Sequence, residues 1–196
     1  MRKAEVNRKT KETDIQLSLC LDGDGVSEID TGIAFFDHML SQLATHGGMA
    51  LRLKCRGDLQ VDGHHTVEDV GIVLGAAFKD ALGGKEGIRR YASACIPMDE
   101  TLCRAVVDIS GRPYLHYKVG FPNLSECFTG TYDPVLTEEF FRAFVNSAGV
   151  TLHAEALYGN NTHHITEAVF KAFSRALRDA VKIDGGNTVP SSKGSL

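Results

Sequence analysis

An internal repeat is the feature of this sequence that most restricts its fold. The segment His64–Val70, with the letters HHTVEDV, recurs as His163–Val169, with the letters HHITEAV. Both copies continue into a stretch with the apolar periodicity of an amphipathic helix. A repeat of this kind is typical of one structural unit that is duplicated and packs against its own copy. We therefore expect two related halves.

The repeat extends upstream of the paired histidines. The segment that ends at Gly48 can be aligned with the one that ends at Gly149, so that His38 falls on Glu139, ten residues before the glycine in each half. After each glycine the sequence alternates between apolar and polar residues, over 49–55 and over 150–156. That alternation is typical of a half-buried strand.

Further alternating segments complete each half. Residues 14–21 alternate and end in the letters DGDG at 22–25, which favour a hairpin turn, and residues 103–109 alternate in the second half. The pattern predicts an α+β fold with internal duplication of two β-β-β-α-β-α halves, in which a mixed or antiparallel sheet faces helices on one side. We expect one compact unit with halves at residues 1–95 and 96–196. The Gly- and Ser-rich residues 184–196 should form a flexible C-terminal tail.

Composition excludes several classes of function. With 196 residues, 43% of them apolar, the chain can bury a sizeable core. The formal charge is -4 and no long basic run is present, which argues against a nucleic-acid partner. No apolar stretch approaches the roughly 20 residues that span a bilayer, so we expect a cytoplasmic protein without membrane contact. The cysteines show no C-x-x-C spacing and support neither a disulfide framework nor a zinc knuckle: Cys20, Cys55, Cys95, Cys103 and Cys127.

The paired histidines carry ligand types that suit a metal. On a helix Glu68 can share a face with either His64 or His65, whereas the two imidazoles diverge by about 100° and most easily serve different ions. One copy alone could be a surface or capping cluster, but the same spacing in both copies favours metal. With His38 and its counterpart included, the candidate ligands are His38, His64, His65, Glu68, Glu139, His163, His164 and Glu167. This mixed set suits Mn²⁺, Fe²⁺ or Zn²⁺, and its oxygen share favours Mn²⁺.

Taken in order, the motifs of the chain resemble the imidazoleglycerol-phosphate dehydratase family. The matching segments lie at residues 36–40, 46–47, 62–69, 98–100, 111–113, 161–168 and 190–194. The resemblance covers essentially the whole chain and implies a ribosomal protein S5 domain 2-like duplication, two Mn²⁺ ions per active site, and a homo-oligomeric 24-mer with active sites between subunits. Many relatives carry a histidine ligand where this chain has Glu139, and a carboxylate can also bind Mn²⁺.

The resemblance also implies a reaction in histidine biosynthesis. A hydro-lyase of this family removes water from D-erythro-imidazole-glycerol phosphate and yields imidazole-acetol phosphate. The carbon-bound proton has no adjacent carbonyl that could serve as an electron sink. The substrate's own ring, held by metal as an imidazolate, can act as that sink. The resemblance points to Glu12 as the acid/base group, with Glu68 or Glu167 as further participants. The expected substrate contacts are Glu12, Gln42 and His46, and those expected at the phosphate are Arg90, Arg112, Ser191, Ser192 and Lys193.

Two other classes of protein could use the same ligands. A binuclear metal hydrolase would act on a phosphoester or an amide through a bridging hydroxide. A metal-storage or metal-nucleated assembly protein would use the paired histidines to join subunits and would need neither Glu12 nor Arg112.

Overall fold

The computed structural model describes residues 1–122 and 132–196, and it contains two β-β-β-α-β-α units. The first unit consists of β1 (Lys3–Lys9), β2 (Thr13–Cys20), β3 (Ser27–Asp30), α1 (Ala34–Gly47), β4 (Ala50–Gly57) and α2 (His64–Leu82). The second consists of β5 (Tyr91–Met98), β6 (Thr101–Asp108), β7 (Tyr114–Lys118), α3 (Leu136–Ala148), β8 (Thr151–Tyr158) and α4 (Thr162–Ala180). The predicted α+β duplication is confirmed. The division expected between residues 95 and 96 falls inside β5, so the second unit begins at Tyr91.

Both sheets are mixed and share one topology. Their strand orders are β1-β2-β4-β3 and β5-β6-β8-β7, with the last strand of each order parallel to its neighbour and the others antiparallel. The hairpin turn predicted at residues 22–25 is therefore wrong, because β4 lies between β2 and β3. Parallel strands need a crossover, which α1 supplies between β3 and β4. The hairpins of the fold are β1–β2 and β5–β6.

The helices lie between the two sheets. Helix α2 packs on the first sheet and α4 on the second, while α1 contacts β3 and β4 and α3 contacts β7. The helices also pair across the middle of the molecule, α1 with α4 and α2 with α3. Alternate strand residues point into this helical layer and are buried, as the period-2 pattern predicts: Ile15, Leu17 and Leu19 in β2, and Cys103, Ala105 and Val107 in β6.

Helices α2 and α3 approach each other at two glycines. A Cβ atom at Gly71 would lie 2.7 Å from the carbonyl oxygen of Phe140, and one at Gly75 would lie 2.6 Å from that of Phe144. Only a hydrogen atom fits at either position, so the two backbones are in contact. Because both contacts advance by four residues, the helices run parallel and the first turn of α3, with Glu139, lies beside the early turns of α2.

Two further features concern the described residues only. None of their helices is both long and apolar enough to cross a membrane. Within them Cys20, Cys55, Cys95 and Cys103 are free thiols, and Cys127 lies outside the described residues.

Candidate metal centre and its surroundings

Helices α1 and α4 bring three of the predicted ligands together. The Oε2 atom of Glu167 lies 3.3 Å from Nε2 of His38 and 3.1 Å from Nε2 of His163. In residues 1–122 and 132–196, these three side chains are the group whose ligand atoms all lie within 4.8 Å of one another. Metal–ligand bonds of about 2.1 Å at right angles place neighbouring ligand atoms about 3 Å apart. The two imidazoles and the carboxylate therefore fit one divalent ion.

Side-chain acceptors just before each helix hold the backbone of the paired histidines. The side chain of Asn161 caps α4 by accepting a hydrogen bond from the backbone N–H of His164 at 3.1 Å. The carboxylate of Asp62 accepts from the backbone N–H of His64 at 2.8 Å. Because each pair occupies the first turn, its imidazoles project from the end of the helix rather than into the core.

The carboxylate of Glu167 is ionised in its buried position. Its side chain is only 7% exposed, and the ammonium group of Lys171 lies 2.6 Å from Oε1. Burial opposes ionisation, but Lys171, with help from His163, holds the pKa of the Glu167 carboxyl below its usual value. Lys171 was not predicted from the sequence, although its position four residues after Glu167 places it on the same helix face.

Polar residues continue from this centre along the groove between α1 and α4. Gln42 Oε1 lies 3.1 Å from His46 Nε2, and with His38 these two residues form an i, i+4, i+8 stripe on α1. Burial lowers the pKa of His46, and the charges of Lys171 and Arg175 on α4 lower it further. The predicted contact residues Gln42 and His46 therefore lie on the face of α1 that meets α4.

The first copy of the motif collects a different set of side chains. Nε2 of His64 lies 3.6 Å from Oε2 of Glu68 on the same helix. Nδ1 of His65 lies 3.0 Å from Oδ2 of Asp58, and its Nε2 lies 4.0 Å from Oε1 of Glu12. Asp58 raises the pKa of His65 through this hydrogen bond. Glu12, predicted from the resemblance, thus lies beside a predicted ligand, and Asp58 is a neighbour that the sequence did not reveal.

The second copy shows the same arrangement around His164. Its Nδ1 atom lies 2.8 Å from Oε2 of Glu100, and its Nε2 atom lies 3.9 Å from Oδ2 of Asp99. The hydrogen bond with His164 is the largest of the interactions that lower the pKa of Glu100 to about 2. Glu100 follows Asp99 in one of the recognised motifs, but nothing in the sequence assigned it a role.

The turn that carries Glu12 is anchored by a buried network. Thr10 Oγ1 accepts from the backbone N–H groups of Glu12 and Thr13, at 3.0 and 2.9 Å. The hydroxyl of Thr13 donates to Asp69 at 2.5 Å, and the same carboxylate forms an ion pair with Arg8. Since Asp69 follows Glu68 on α2, this network ties the β1–β2 turn to the helix that bears His64 and His65.

Two of the predicted phosphate-binding residues, Arg90 and Arg112, form a separate basic cluster around Asp108. Nε of Arg90 donates to Asp108 at 2.8 Å and its Nη1 donates to the carbonyl of Pro190 at 2.8 Å, while Nη2 of Arg112 lies 4.0 Å from the same Asp108. The C-terminal residues 184–196 pack against this region, where the Lys85 ammonium donates to the carbonyl of Leu196 at 3.1 Å. Side chains at Ser192 and Lys193 are exposed and that of Ser191 is half-buried.

This basic cluster and the metal centre lie at opposite ends of α4. The backbone N–H of Arg90 donates to the carbonyl of Ala180, the last residue of α4, whereas Glu167 lies in its second turn. Glu167 and Ala180 are thirteen positions apart, which at about 1.5 Å per residue corresponds to about 20 Å along the helix. A small phosphorylated molecule cannot reach from one to the other within a single chain.

Glu139, a further predicted ligand, lies at the start of α3. Its side chain is half-buried in the first turn of α3, which packs beside α2. The aligned residue His38 is exposed on α1, which packs beside α4. In the described parts of the chain, however, Glu139 is not one of three candidate ligands gathered within 4.8 Å.

The fold and the site together define a class of protein. The chain is a duplicated α+β protein that holds imidazole and carboxylate ligands between helices of its two halves.

Comparisons with known proteins identify the family within this class. A sequence profile described as imidazoleglycerol-phosphate dehydratase matches residues 31–177. The relative of that name from Gluconobacter oxydans is 56% identical over 197 residues, which cover 100% of this chain and 98% of the relative. The relative from Nitrobacter hamburgensis is 57% identical over 198 residues, with 100% and 99% covered.

Solved structures agree. The imidazoleglycerol-phosphate dehydratase of Staphylococcus aureus superimposes with a TM-score of 0.82 at 41% identity, covering 92% of this chain and 99% of that one. The enzyme of Pyrococcus furiosus gives 0.82 at 37% identity, covering 97% and 100%. The chain belongs to the imidazoleglycerol-phosphate dehydratase family, whose members are hydro-lyases of histidine biosynthesis.

Proposed function

We propose that this protein is a metal-dependent hydro-lyase that converts D-erythro-imidazole-glycerol phosphate to imidazole-acetol phosphate and water in the cytoplasm. The observation that carries the proposal is the convergence of His38, His163 and Glu167, which come from both halves of the chain, within a family of dehydratases. The first copy of the motif, with His64, His65 and Glu68, supplies a second set of the same chemistry.

Mn²⁺ is the proposed ion, with two ions in each active site. Imidazole and carboxylate donors without thiolate suit Mn²⁺, and carboxylate oxygens are hard ligands that this ion accepts readily. The residues proposed to hold the ions are His38, His64, His65, Glu68, Glu139, His163, His164 and Glu167. Divalent ions held by these residues would supply the Lewis acidity that allows the substrate's imidazole ring to lose its N–H proton near neutral pH and act as the electron sink.

The chain's own residues supply the remaining chemistry. Glu12, whose side chain is 53% exposed and lies at the Nε2 side of His65, is proposed to remove the carbon-bound proton. Glu68 and Glu167 remain candidates to assist, although Glu167 is already engaged by Lys171. Gln42 and His46 are proposed to contact the substrate from the groove between α1 and α4.

The phosphate is proposed to bind at the basic cluster. Arg112 can offer its guanidinium, because its side chain is 69% exposed, whereas Arg90 is engaged by Asp108 and Pro190 and would share its remaining N–H groups. Lys193 and the hydroxyls of Ser191 and Ser192 complete the proposed set.

The separation of these two regions supports active sites between subunits. About 20 Å of helix separates the basic cluster from the metal centre in one chain, and a neighbouring copy could bring one to the other. We therefore propose a homo-oligomer with shared sites, and the 24-mer implied by the family is its proposed form. Native mass measured with and without metal tests this arrangement, since assembly unchanged after complete metal loss would count against ligands shared at an interface.

Turnover assays separate the dehydratase from its alternatives. We expect Mn²⁺-loaded protein to form a ketone product from imidazole-glycerol phosphate, and Glu12→Gln to keep the metal but lose turnover by a factor of about 100 or more. Glu28→Gln is the matched control, because this carboxylate lies on β3 with its side chain 83% exposed. Metal-replete protein that leaves this substrate untouched but hydrolyses simple phosphoesters would support the hydrolase instead. Full activity after exhaustive chelation would refute metal dependence.

A further inference from the structure

The second histidine of each repeated pair is held by a carboxylate at its Nδ1 atom. For His65 the partner is Asp58, at 3.0 Å, and for His164 it is Glu100, at 2.8 Å. The two carboxylates come from different places in the repeat, since Asp58 follows β4 and Glu100 precedes β6. The same contact is therefore built twice from positions that the duplication does not relate.

This contact determines which nitrogen of the ring is available. An imidazole that donates its Nδ1–H to a carboxylate presents a lone pair at Nε2, in the neutral form that binds a metal ion. The carboxylate also fixes the plane of the ring and increases its basicity. By contrast, His64 and His163 direct their Nε2 atoms toward Glu68 and Glu167 on their own helices.

Hydrogen bonds hold the carboxylate of Glu100 and the backbone of Asp58. Glu100 Oε1 accepts from the hydroxyl of Thr101 at 2.9 Å and from the backbone N–H of Asn161 at 3.0 Å. The backbone N–H of Asp58 donates to the carbonyl of Glu12 at 3.0 Å, and its carbonyl accepts from Val61 at 2.8 Å. The Glu100 carboxylate and the chain segment that carries Asp58 are thus in place before any ion binds, which lowers the conformational cost of forming the site.

We propose that Asp58 and Glu100 are positioning residues for metal binding, which set the tautomer and the orientation of His65 and His164 so that Nε2 of each ring faces the ion. The inference rests on the proposed metal-dependent function. It adds two residues to that site without making either a ligand or a group that touches the substrate.

Equilibrium binding of Mn²⁺ tests the inference directly. The signal of free Mn²⁺ in electron paramagnetic resonance gives the affinity of the wild type, Asp58→Asn and Glu100→Gln without any turnover. Loss of a carboxylate that orients a ligand typically weakens metal binding by about 10- to 100-fold, and we expect a loss of this size for each variant. Asp58→Ala and Glu100→Ala, which remove the acceptor altogether, should lose at least as much.

Two carboxylates elsewhere serve as matched controls. Asp30→Asn removes an ion pair with Arg56 at 2.6 Å on β3, and Glu155→Gln removes one with Arg104 at 2.5 Å on β8. Glu155 also lies 3.5 Å from Nε2 of His116, so it controls for the loss of a carboxylate–imidazole contact as such. Both variants should bind Mn²⁺ like the wild type.

The outcomes distinguish this inference from the function on which it rests. If the wild type binds Mn²⁺ and the Asp58 and Glu100 variants bind it within twofold of the wild type, the positioning role is refuted and metal dependence stands. A wild type that binds no Mn²⁺ refutes the metal dependence and the inference together. The Tm of the metal-free variants reports folding separately, and if Glu100→Gln does not fold, Asp58→Asn decides the question.

Discussion

Replacement of Gly71 by alanine should separate α2 from α3. The added methyl group would lie 2.7 Å from the carbonyl oxygen of Phe140 and 2.9 Å from Cβ of Ala143. An ordinary contact begins at about 3.4 Å, so α3 must move by about 0.7 Å, and a gap of 0.5–1 Å loses roughly a quarter to a half of each dispersion contact nearby. The neighbour is backbone, which cannot rotate out of the way as a side chain can.

The net cost can be estimated from two opposing effects. Overpacking of a close contact costs about 1–3 kcal/mol, and contact with backbone places Gly71→Ala toward the upper end of that range. Alanine in place of a glycine within a helix stabilises the helix by about 1 kcal/mol. The expected net loss of unfolding free energy is about 2 kcal/mol, which for a chain of this size lowers Tm by roughly 4–8 °C.

Thermal unfolding at fixed protein concentration and fixed metal content measures this loss. Gly47→Ala is the matched control, because its added Cβ would meet chiefly the terminal methyl group of Met49, at 2.5 Å, which can rotate away. We expect this control to unfold within about 2 °C of the wild type, since the strain it introduces is relieved by one flexible side chain. A Gly71→Ala protein that unfolds at or above the wild-type temperature would refute the account of backbone contact between α2 and α3.

Three other predictions follow from the contacts described above. Asp69→Asn should lower kcat about tenfold or more with a smaller change in KM, because the turn that carries Glu12 loses its anchor. Steady-state kinetics measures both constants, and equal changes in kcat and KM would argue against this role of Asp69. In metal-free protein the pKa of Glu100 is lowered to about 2, so the stability that its ionised carboxylate contributes is present above the unfolded pKa near 4.5 and is lost as pH falls through 2. The difference in unfolding free energy between the wild type and Glu100→Gln should therefore shrink over that window. Acid titrations followed by circular dichroism measure this difference. Burial raises the pKa of Cys55 and Cys103 to about 12. Mass spectrometry after alkylation at pH 8 should therefore find both thiols unmodified until the protein is unfolded. Rapid labelling of either cysteine would contradict its placement in the core.

The elements of the fold were predictable because their signals are local. Alternation of apolar residues located β2 and β6, and the paired histidines marked the starts of α2 and α4. The order of strands was not predictable in the same way. A turn of Asp and Gly residues at 22–25 has the composition of a hairpin, but strand pairing is decided by the distant β4, which inserts between β2 and β3.

The site was predictable as a set of residue types but not as a geometry. The repeat identified His38, His163 and Glu167, and helix periodicity would also have found Lys171, four residues after Glu167. Asp58 is different, because its contact with His65 depends on how the segment after β4 folds back at the start of α2. Contacts of that kind depend on the path of the chain in a loop, which residue spacing does not specify.

The two repeats use equivalent turns differently, and this bears on which carboxylate removes the proton. Glu12 and Glu100 each precede the first residue of the second strand of their unit, Thr13 and Thr101. Glu100 is occupied at Nδ1 of His164, whereas in the first repeat Asp58 occupies the corresponding nitrogen of His65 and leaves Glu12 at the Nε2 side. A carboxyl whose pKa is held to about 2 is a weak base near neutral pH, which argues against Glu100 as the acid/base group. We therefore expect opposite effects of two substitutions. Glu12→Gln should retain the Mn²⁺ affinity of the wild type and lose kcat. Glu100→Gln should lose Mn²⁺ affinity but recover most of its kcat at saturating Mn²⁺. Kinetics across a Mn²⁺ titration separates the two, and loss of kcat in both variants at saturating metal would show that the turns are not divided in this way.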